Sequence, residues 1–252
     1  MKRRFTGLTD PGLLRNVNQD NFYIDPEGLF FVVADGMGGH AGGQEASQLA
    51  TEAIQTHLEK HWQSATSSEE LLEQALYEAN QAIILDQQKH PERSDMGTTA
   101  VVVIFRNEHT WFAHVGDSRL YRLRGSNLEQ ITEDHTWVAR AVKAGDITLE
   151  QARIHPWRHV LSQCLGRKDL QHVDVQPMNV QPGDRLLLCS DGLTEELSDA
   201  LIASYLEPDL DYEQAAVNLV DAAKEKGGRD NITVVIVEID DLSSEEGTAQ
   251  PL

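Results

Sequence analysis

The longest unbroken apolar runs in the chain are only six residues each, Leu29-Phe30-Phe31-Val32-Val33-Ala34 and Ala100-Val101-Val102-Val103-Ile104-Phe105. Both are short, and rich in aromatic or β-branched side chains, which reads as buried strand. A membrane-spanning helix needs about 20 such residues, so attachment to a membrane by a span is not expected. Between and after these runs the period changes in blocks. From about Gly43 to about Trp62, Ala46, Leu49, Ala50, Ala53, Ile54, His57 and Leu58 recur at three and four, the spacing of one helix face. Ser67 with Glu70 predicts a capping box that opens a second helix, with Leu72, Ala75, Leu76, Ala79 and Ile83 on its apolar side. Strand patterns then follow one another at Thr98–Phe105, Thr110–Val115, Arg119–Leu123 and Leu128–Ile131, and again at Val173–Met178, Arg185–Cys189 and Ile232–Ile239. A short helix over Leu197–Leu206 and a longer one through Tyr212, Ala215, Ala216, Leu219, Val220 and Ala223 precede the last strand, with Gly227-Gly228 as the stop. Strands in consecutive runs, rather than in strict alternation with helices, predict an α+β fold of packed antiparallel sheets flanked by helices.

Residues 134–168 break this pattern. They hold short helical pieces, histidines and two tryptophans without a long strand period, which reads as an inserted subdomain. The remainder reads as one domain over residues 1–240, followed by an acidic, polar tail at 241–252.

Charge narrows the partners. Asp and Glu number 41 against 21 Lys and Arg, a formal charge of −20. Such a surface repels the phosphates of nucleic acid and of anionic lipid, both of which are held by basic side chains. The two cysteines, Cys164 and Cys189, have no paired spacing for a metal and read as buried thiols. No apolar stretch of signal-peptide type follows Met1-Lys2-Arg3-Arg4-Phe5, so a soluble, cytoplasmic protein is expected, and a monomer.

The chemistry is carried by aspartates at strand limits. Asp35 follows Phe31-Val32-Val33-Ala34, Asp117 follows Ala113-His114-Val115-Gly116, Asp191 follows Leu187-Leu188-Cys189-Ser190, and Asp230 precedes the final strand. An aspartate beside a glycine is ordinarily a turn residue. Several strand-end carboxylates, however, converge in packed sheets and repel one another unless cations neutralise them. An all-oxygen ligand set suits hard ions such as Mg²⁺ or Mn²⁺, and Gly36 leaves a backbone carbonyl free to join it. The glycine-rich stretch after Asp35 is not a nucleotide loop. Gln44-Glu45 stands where a phosphate-binding loop requires Lys-Ser/Thr, and Ala41 stands at the third glycine of a dinucleotide fingerprint.

Asn18-Gln19-Asp20, Asp35-Gly36-Met37-Gly38-Gly39, Gly97-Thr98-Thr99, Gly116-Asp117-Ser118-Arg119, Ser190-Asp191-Gly192 and Gly228-Arg229-Asp230-Asn231 occur in that order. In this the chain resembles the type 2C protein phosphatases, the PPM family, from about Gly7 to Val237. It is most similar to compact bacterial members, in particular those acting on the phosphorylated PII nitrogen-signalling protein. The resemblance implies a central sandwich of two antiparallel sheets with helices outside and a Mg²⁺ or Mn²⁺ centre at one end. It implies two core ions, bridged by Asp35, with the Gly36 carbonyl, Asp191 and Asp230 as further ligands. Asp20 would hold water from outside that shell, and Asp117 with Asp191 would support a third, weaker ion. Arg15 would grip the substrate phosphate, where a guanidinium fork suits phosphoryl oxygens.

Many members carry histidine directly after the Asp-Gly pair. Here Met37 stands in that place, and His40 is the candidate acid for the leaving serine or threonine oxygen. Residues 134–168 correspond to the family's flap. There His135, Trp137, His155, Trp157, Arg158 and His159 either read the sequence around a phosphoserine or pack the flap onto the sandwich. The implied activity is hydrolysis of phosphoserine and phosphothreonine in a protein substrate. The rival readings are an inactive phosphoprotein-binding module, a related metal phosphodiesterase and a metal-sensing module without turnover.

Overall fold

The computed structural model describes residues 2–39, 42–170 and 172–240. Along the chain, β1 (Arg3–Asp10), β2 (Asp20–Ile24) and β3 (Phe30–Met37) lead into α1 (Gly42–His61) and α2 (Ser68–Lys89). Next come β4 (Gly97–Thr98), β5 (Ala100–Arg106), β6 (His109–Val115), β7 (Arg119–Arg124) and β8 (Asn127–Gln130). The helices α3 (Trp137–Ala144) and α4 (Leu149–Arg153) precede β9 (Asp174–Met178) and β10 (Arg185–Cys189). Then α5 (Asp191–Thr194), α6 (Asp199–Tyr205) and α7 (Tyr212–Lys226) lead to β11 (Ile232–Ile239). The strands form two antiparallel sheets, one ordered β1-β11-β10-β7-β8 and the other β2-β3-β5-β6-β9 with β4 on β3. This is the expected sandwich flanked by helices.

The strand alternation explains why the central strands are apolar throughout. In β3, Phe30 and Val32 face α1 and α2, whereas Phe31 and Val33 face the other sheet. In β5, Ala100, Val102 and Ile104 turn to the helices and Val101, Val103 and Phe105 turn inward. On the opposite sheet, Val234 and Ile236 pack under α7 while Val235 and Val237 meet the inward face of β3 and β5. Each central strand thus has both faces buried, and period two gives way to an unbroken apolar run.

Some local expectations change. The Ser67 hydroxyl accepts from the Glu70 N–H at 3.1 Å, but the Glu70 carboxylate accepts from Gln74 instead of the Ser67 N–H, so only half of that capping box forms. A complete box forms at Thr148 and Gln151. The strand expected over Thr98–Phe105 is broken at Thr99, whose side chain is used elsewhere. The loop expected from Asp35 begins later, because β3 continues through Met37. The first two strands have no clear alternation; β1 is an edge strand, half-buried along most of its length. Cys164 and Cys189 are buried free thiols. The tail at 241–252 lies outside the described residues, and no described helix is long and apolar enough to cross a membrane.

Leu76 is fully buried in α2 within the cluster that joins the helices to β3 and β5. Leu76→Ala is expected to cost about 2–5 kcal/mol, read as a lowered urea midpoint with unchanged slope.

Candidate metal centre

The antiparallel register brings the start of β2, β7 and β11 to the same end of the sandwich as the finish of β3, β6 and β10. Asp20, the first residue of β2, lies directly across from Asp35 in β3. Its Oδ2 accepts from Ser190 Oγ and from Thr233 Oγ1, both at 2.7 Å. Since Thr233 donates to Asp20, the 2.7 Å contact between Thr9 Oγ1 and Thr233 Oγ1 has Thr9 as donor, and Thr9 in turn accepts from Asn18 Nδ2. A directed chain of hydrogen bonds from the sheet of β1, β11 and β10 therefore ends on a carboxylate of the other sheet. Its other oxygen, Oδ1, is buried and has no partner. Burial pushes Asp20 up to about 7, against the hydrogen bonds from Thr233 and Ser190.

Asp35 is held by its backbone. Its N–H donates to Thr99 Oγ1 at 3.0 Å, and its carbonyl accepts from the Thr99 N–H and Thr98 Oγ1, both at 2.8 Å. This is the use to which Thr99 is put in leaving β5. Gly36 follows in a tight cradle, where a Cβ would stand 1.9 Å from the Gly43 carbonyl oxygen. Asp117 sits between β6 and β7 after Gly116, whose φ of +107° favours glycine and whose Cβ would lie 2.5 Å from Thr99 Cγ2. Asp191 opens α5, and a Cβ on the next residue, Gly192, would strike the Asn231 carbonyl at 2.0 Å.

Arg15 and Asp230 stand on two loops pinned together by Asn231. Its Nδ2 donates to the carbonyls of Pro11 and Val17 at 3.0 and 3.1 Å, and its Oδ1 accepts from the Gln19 N–H at 2.7 Å. Leu13 donates to the Gly228 carbonyl at 2.7 Å and Lys224 pairs with Asp10 at 2.8 Å. On this platform the half-exposed Arg15 guanidinium reaches Asp230 Oδ2 at 2.6 Å.

The structure thus brings Asp20, Asp35, Asp117, Asp191 and Asp230 into one electrostatic group. Burial, then Asp20, Asp191, Asp117 and Asp230, raise Asp35 well above the usual carboxylate range. Burial and then Asp191 raise Asp117 in the same way. Asp191 rises to about 6 through burial, Glu195 and Asp230, and shares a hydrogen bond with Asp35. His40 lies outside the described residues.

Residues 134–168 meet this end of the sandwich at several points. Arg119 donates to both Asp134 oxygens, at 2.8 and 2.6 Å. His135 works inward, its Nδ1 accepting from the Gly116 N–H and its Nε2 donating to Asp174 at 2.8 Å. Trp137 stacks on His155, Trp157 meets both rings edge-on, and all three stay partly exposed. His159 pairs with Glu195, and both offer ligand atoms within 4.8 Å of one on Asp191. Glu195 was not anticipated from sequence. Nor were the bracing roles of Thr9, Thr99, Thr233 and Asn231, because a hydroxyl or amide in or beside a strand carries no periodic signal.

A helix-flanked antiparallel sandwich with an all-oxygen carboxylate cluster at one end defines a class of proteins suited to divalent cations. Residues 15–225 match the family described as Protein phosphatase 2C, and the chain belongs to that family. It is 36% identical over 239 residues to the serine/threonine phosphatase stp of Listeria innocua, covering 91% of this chain and 93% of that one. It is 36% identical over 250 residues to PstP of Mycobacterium tuberculosis, covering 99% of this chain but 47% of that one, so it spans about half the length of PstP. A crystal structure of PstP superposes with a TM-score of 0.88 at 35% identity, covering 95% of this chain and 99% of that one. The PstP catalytic domain in complex with two manganese ions gives a TM-score of 0.83 at 34% identity, with 95% and 99% covered.

Carboxyls held above their unfolded range make the metal-free fold lose stability as pH rises. Below about pH 4 both states are protonated; from there to about pH 7 the folded state keeps protons on Asp20 and Asp191 that the unfolded state releases. The rise in Tm on adding Mn²⁺ is therefore expected to be larger at pH 8 than at pH 5, by calorimetry with and without chelator.

Proposed function

We propose that the chain is a metal-dependent protein phosphatase that hydrolyses phosphoserine and phosphothreonine. The observation that carries this is the five-aspartate cluster with the unpartnered buried Oδ1 of Asp20 inside it and the Arg15 guanidinium at its edge. The donor set fits Mg²⁺ or Mn²⁺: the ligands are oxygens, their mutual repulsion is relieved by positive charge, and the group is braced for close packing of anions.

Asp35, the Gly36 carbonyl, Asp191 and Asp230 would hold two core ions, with Asp20 supporting them from behind. Asp117 and Asp191 would hold a third, weaker ion. Bound there, the ions supply charge neutralisation and an activated water for direct attack on phosphorus. Asp20 does its part as an anion, oriented by the Ser190 and Thr233 hydroxyls, with Oδ1 left free as an acceptor. Arg15 uses one N–H on Asp230 and, being half exposed, has further donors to aim at phosphoryl oxygens. His40 would give the proton that the departing serine or threonine oxygen needs, the role in which histidine most often serves as a general acid. Residues 134–168 act as a flap beside the centre within a domain spanning 1–240, with 241–252 as a tail. A cytoplasmic monomer acting on a PII-type phosphoprotein fits the acidic chain and the resemblance to compact bacterial members.

The test is phosphate release from a phosphoserine protein with and without Mn²⁺. Asp191→Asn is expected to lower kcat by at least about 100-fold, and chelator to abolish release; activity that survives both removes the metal mechanism. Asp20→Asn is expected to weaken Mn²⁺ binding about 10- to 100-fold, as loss of an outer-shell partner does, by titration calorimetry.

Leaving-group dependence separates His40 from the metal set. His40→Ala is expected to slow phosphoserine peptides far more than p-nitrophenyl phosphate, whose leaving group departs as an anion. Equal losses on both would take His40 out of the acid role.

A further inference from the structure

The charge of this chain is unevenly placed. Residues 134–168 carry six Lys and Arg against three Asp and Glu, a net of +3 in a chain whose total is −20. The arginines divide along the same line. Those outside the segment are engaged with carboxylates, apart from Arg106 on three carbonyls and Arg3 over the Phe105 ring. Among the described residues, Arg140, Arg153, Arg158 and Arg167 have no carboxylate within ion-pair distance.

Two of the four, Arg140 and Arg167, line a cavity of about 620 Å³ between the flap and the core. His159 and His172 line it as well, Asp169 is the one acidic side chain among the described lining residues, and Met37, two residues after Asp35, is part of its wall. Ser162 lines it with a buried hydroxyl that has no hydrogen-bond partner. His159 ties the cavity to the centre, because it pairs with Glu195 beside Asp191. Lys143 does not contribute, being held by Glu133. Arg119, whose guanidinium is bound to Asp134, is likewise spent.

We propose that this cavity is a subsite for a second anionic group of the substrate, close in sequence to the phosphoserine or phosphothreonine. The inference rests on the phosphatase reading and adds a preference to it. Guanidinium forks pair with carboxylates and phosphates in the same planar geometry, so either an acidic residue or a second phosphate meets the site's chemistry. The flap is a net-positive stretch in a strongly acidic chain, which gives the subsite its selectivity as well as its attraction. With Met37 in its wall the cavity adjoins the centre, and an extended peptide advances about 3.4 Å per residue. The second anion therefore lies two or three positions from the phosphorylated residue.

The experiment uses the manganese-loaded protein and one phosphoserine peptide, labelled, with Glu, phosphoserine, Ala or Lys placed two or three positions to either side. kcat/KM and, by fluorescence anisotropy, Kd are measured for each. On at least one side the Glu or phosphoserine peptide is expected to exceed the Ala peptide about tenfold, and the Lys peptide to fall below it. The advantage shrinks at 0.5 M salt. A larger gain for phosphoserine than for Glu identifies a second phosphate as the source, and a gain confined to Glu identifies a carboxylate. In Arg140→Ala/Arg167→Ala the ratio of acidic to neutral peptide should fall toward one, and in Arg140→Glu/Arg167→Glu it should invert in favour of Lys. Flat peptide series in both rate and binding, or a preference unchanged in both double variants, overturns the subsite. Loss of turnover on every peptide and on p-nitrophenyl phosphate overturns the phosphatase reading instead, and the anisotropy series then still decides the subsite.

Discussion

Crowding of negative charge at one end of the sandwich is the constraint around which the rest is built. Asp20, Asp35, Asp117 and Asp191 are each pushed toward their neutral forms by burial and by one another. Nothing in local propensity gathers them there. They stay together because the strands that bear them are fixed by apolar faces on both sides, and because their loops interlock at backbone distance, as at Gly36 on Gly43 and Gly192 on Asn231. The hydrophobic layers supply the free energy and the carboxylates spend part of it, an arrangement that holds for sites whose purpose is to bind cations.

The bracing of that end is polar and runs across the two sheets. The Asn18-Thr9-Thr233 chain and Ser190 converge on Asp20, so a residue of one sheet is oriented by hydroxyls of the other. Asn231 fixes the loop that presents Arg15. His135 Nδ1 accepts from the Gly116 N–H while its Nε2 donates to Asp174, which holds the residue before Asp117. None of these groups needs to touch substrate. Their effect is to leave each carboxylate one geometry.

Much of this was legible in the sequence, for a physical reason. Helices with a three-four stripe, such as α1, α2 and α7, and strands with two buried faces, such as β3 and β5, write their environment directly into residue order. The aspartates were legible through their place at strand limits. What was hidden depended on long-range pairing. The strand β1 reads as Arg3-Arg4-Phe5-Thr6-Gly7-Leu8-Thr9-Asp10, without alternation, because as an edge strand it is only partly buried. Glu195 sits one turn after Asp191 and acquires meaning only through His159, far along the chain. Thr99 looks like one more β-branched strand residue, yet it is where the strand stops in order to hold Asp35.

The order of assembly follows from where β11 lies. It is inserted between β1 and β10, and Asp230, Asn231 and Thr233 enter the centre at its start. Of the described strands it is the last to be synthesised. A nascent chain that has emerged only as far as β10 has Asp20 and Asp35 in one sheet but neither the Thr233 hydroxyl nor the Asp230 carboxylate. Closing that sheet and completing the carboxylate group are therefore a single event, the seating of β11 in the gap between β1 and β10.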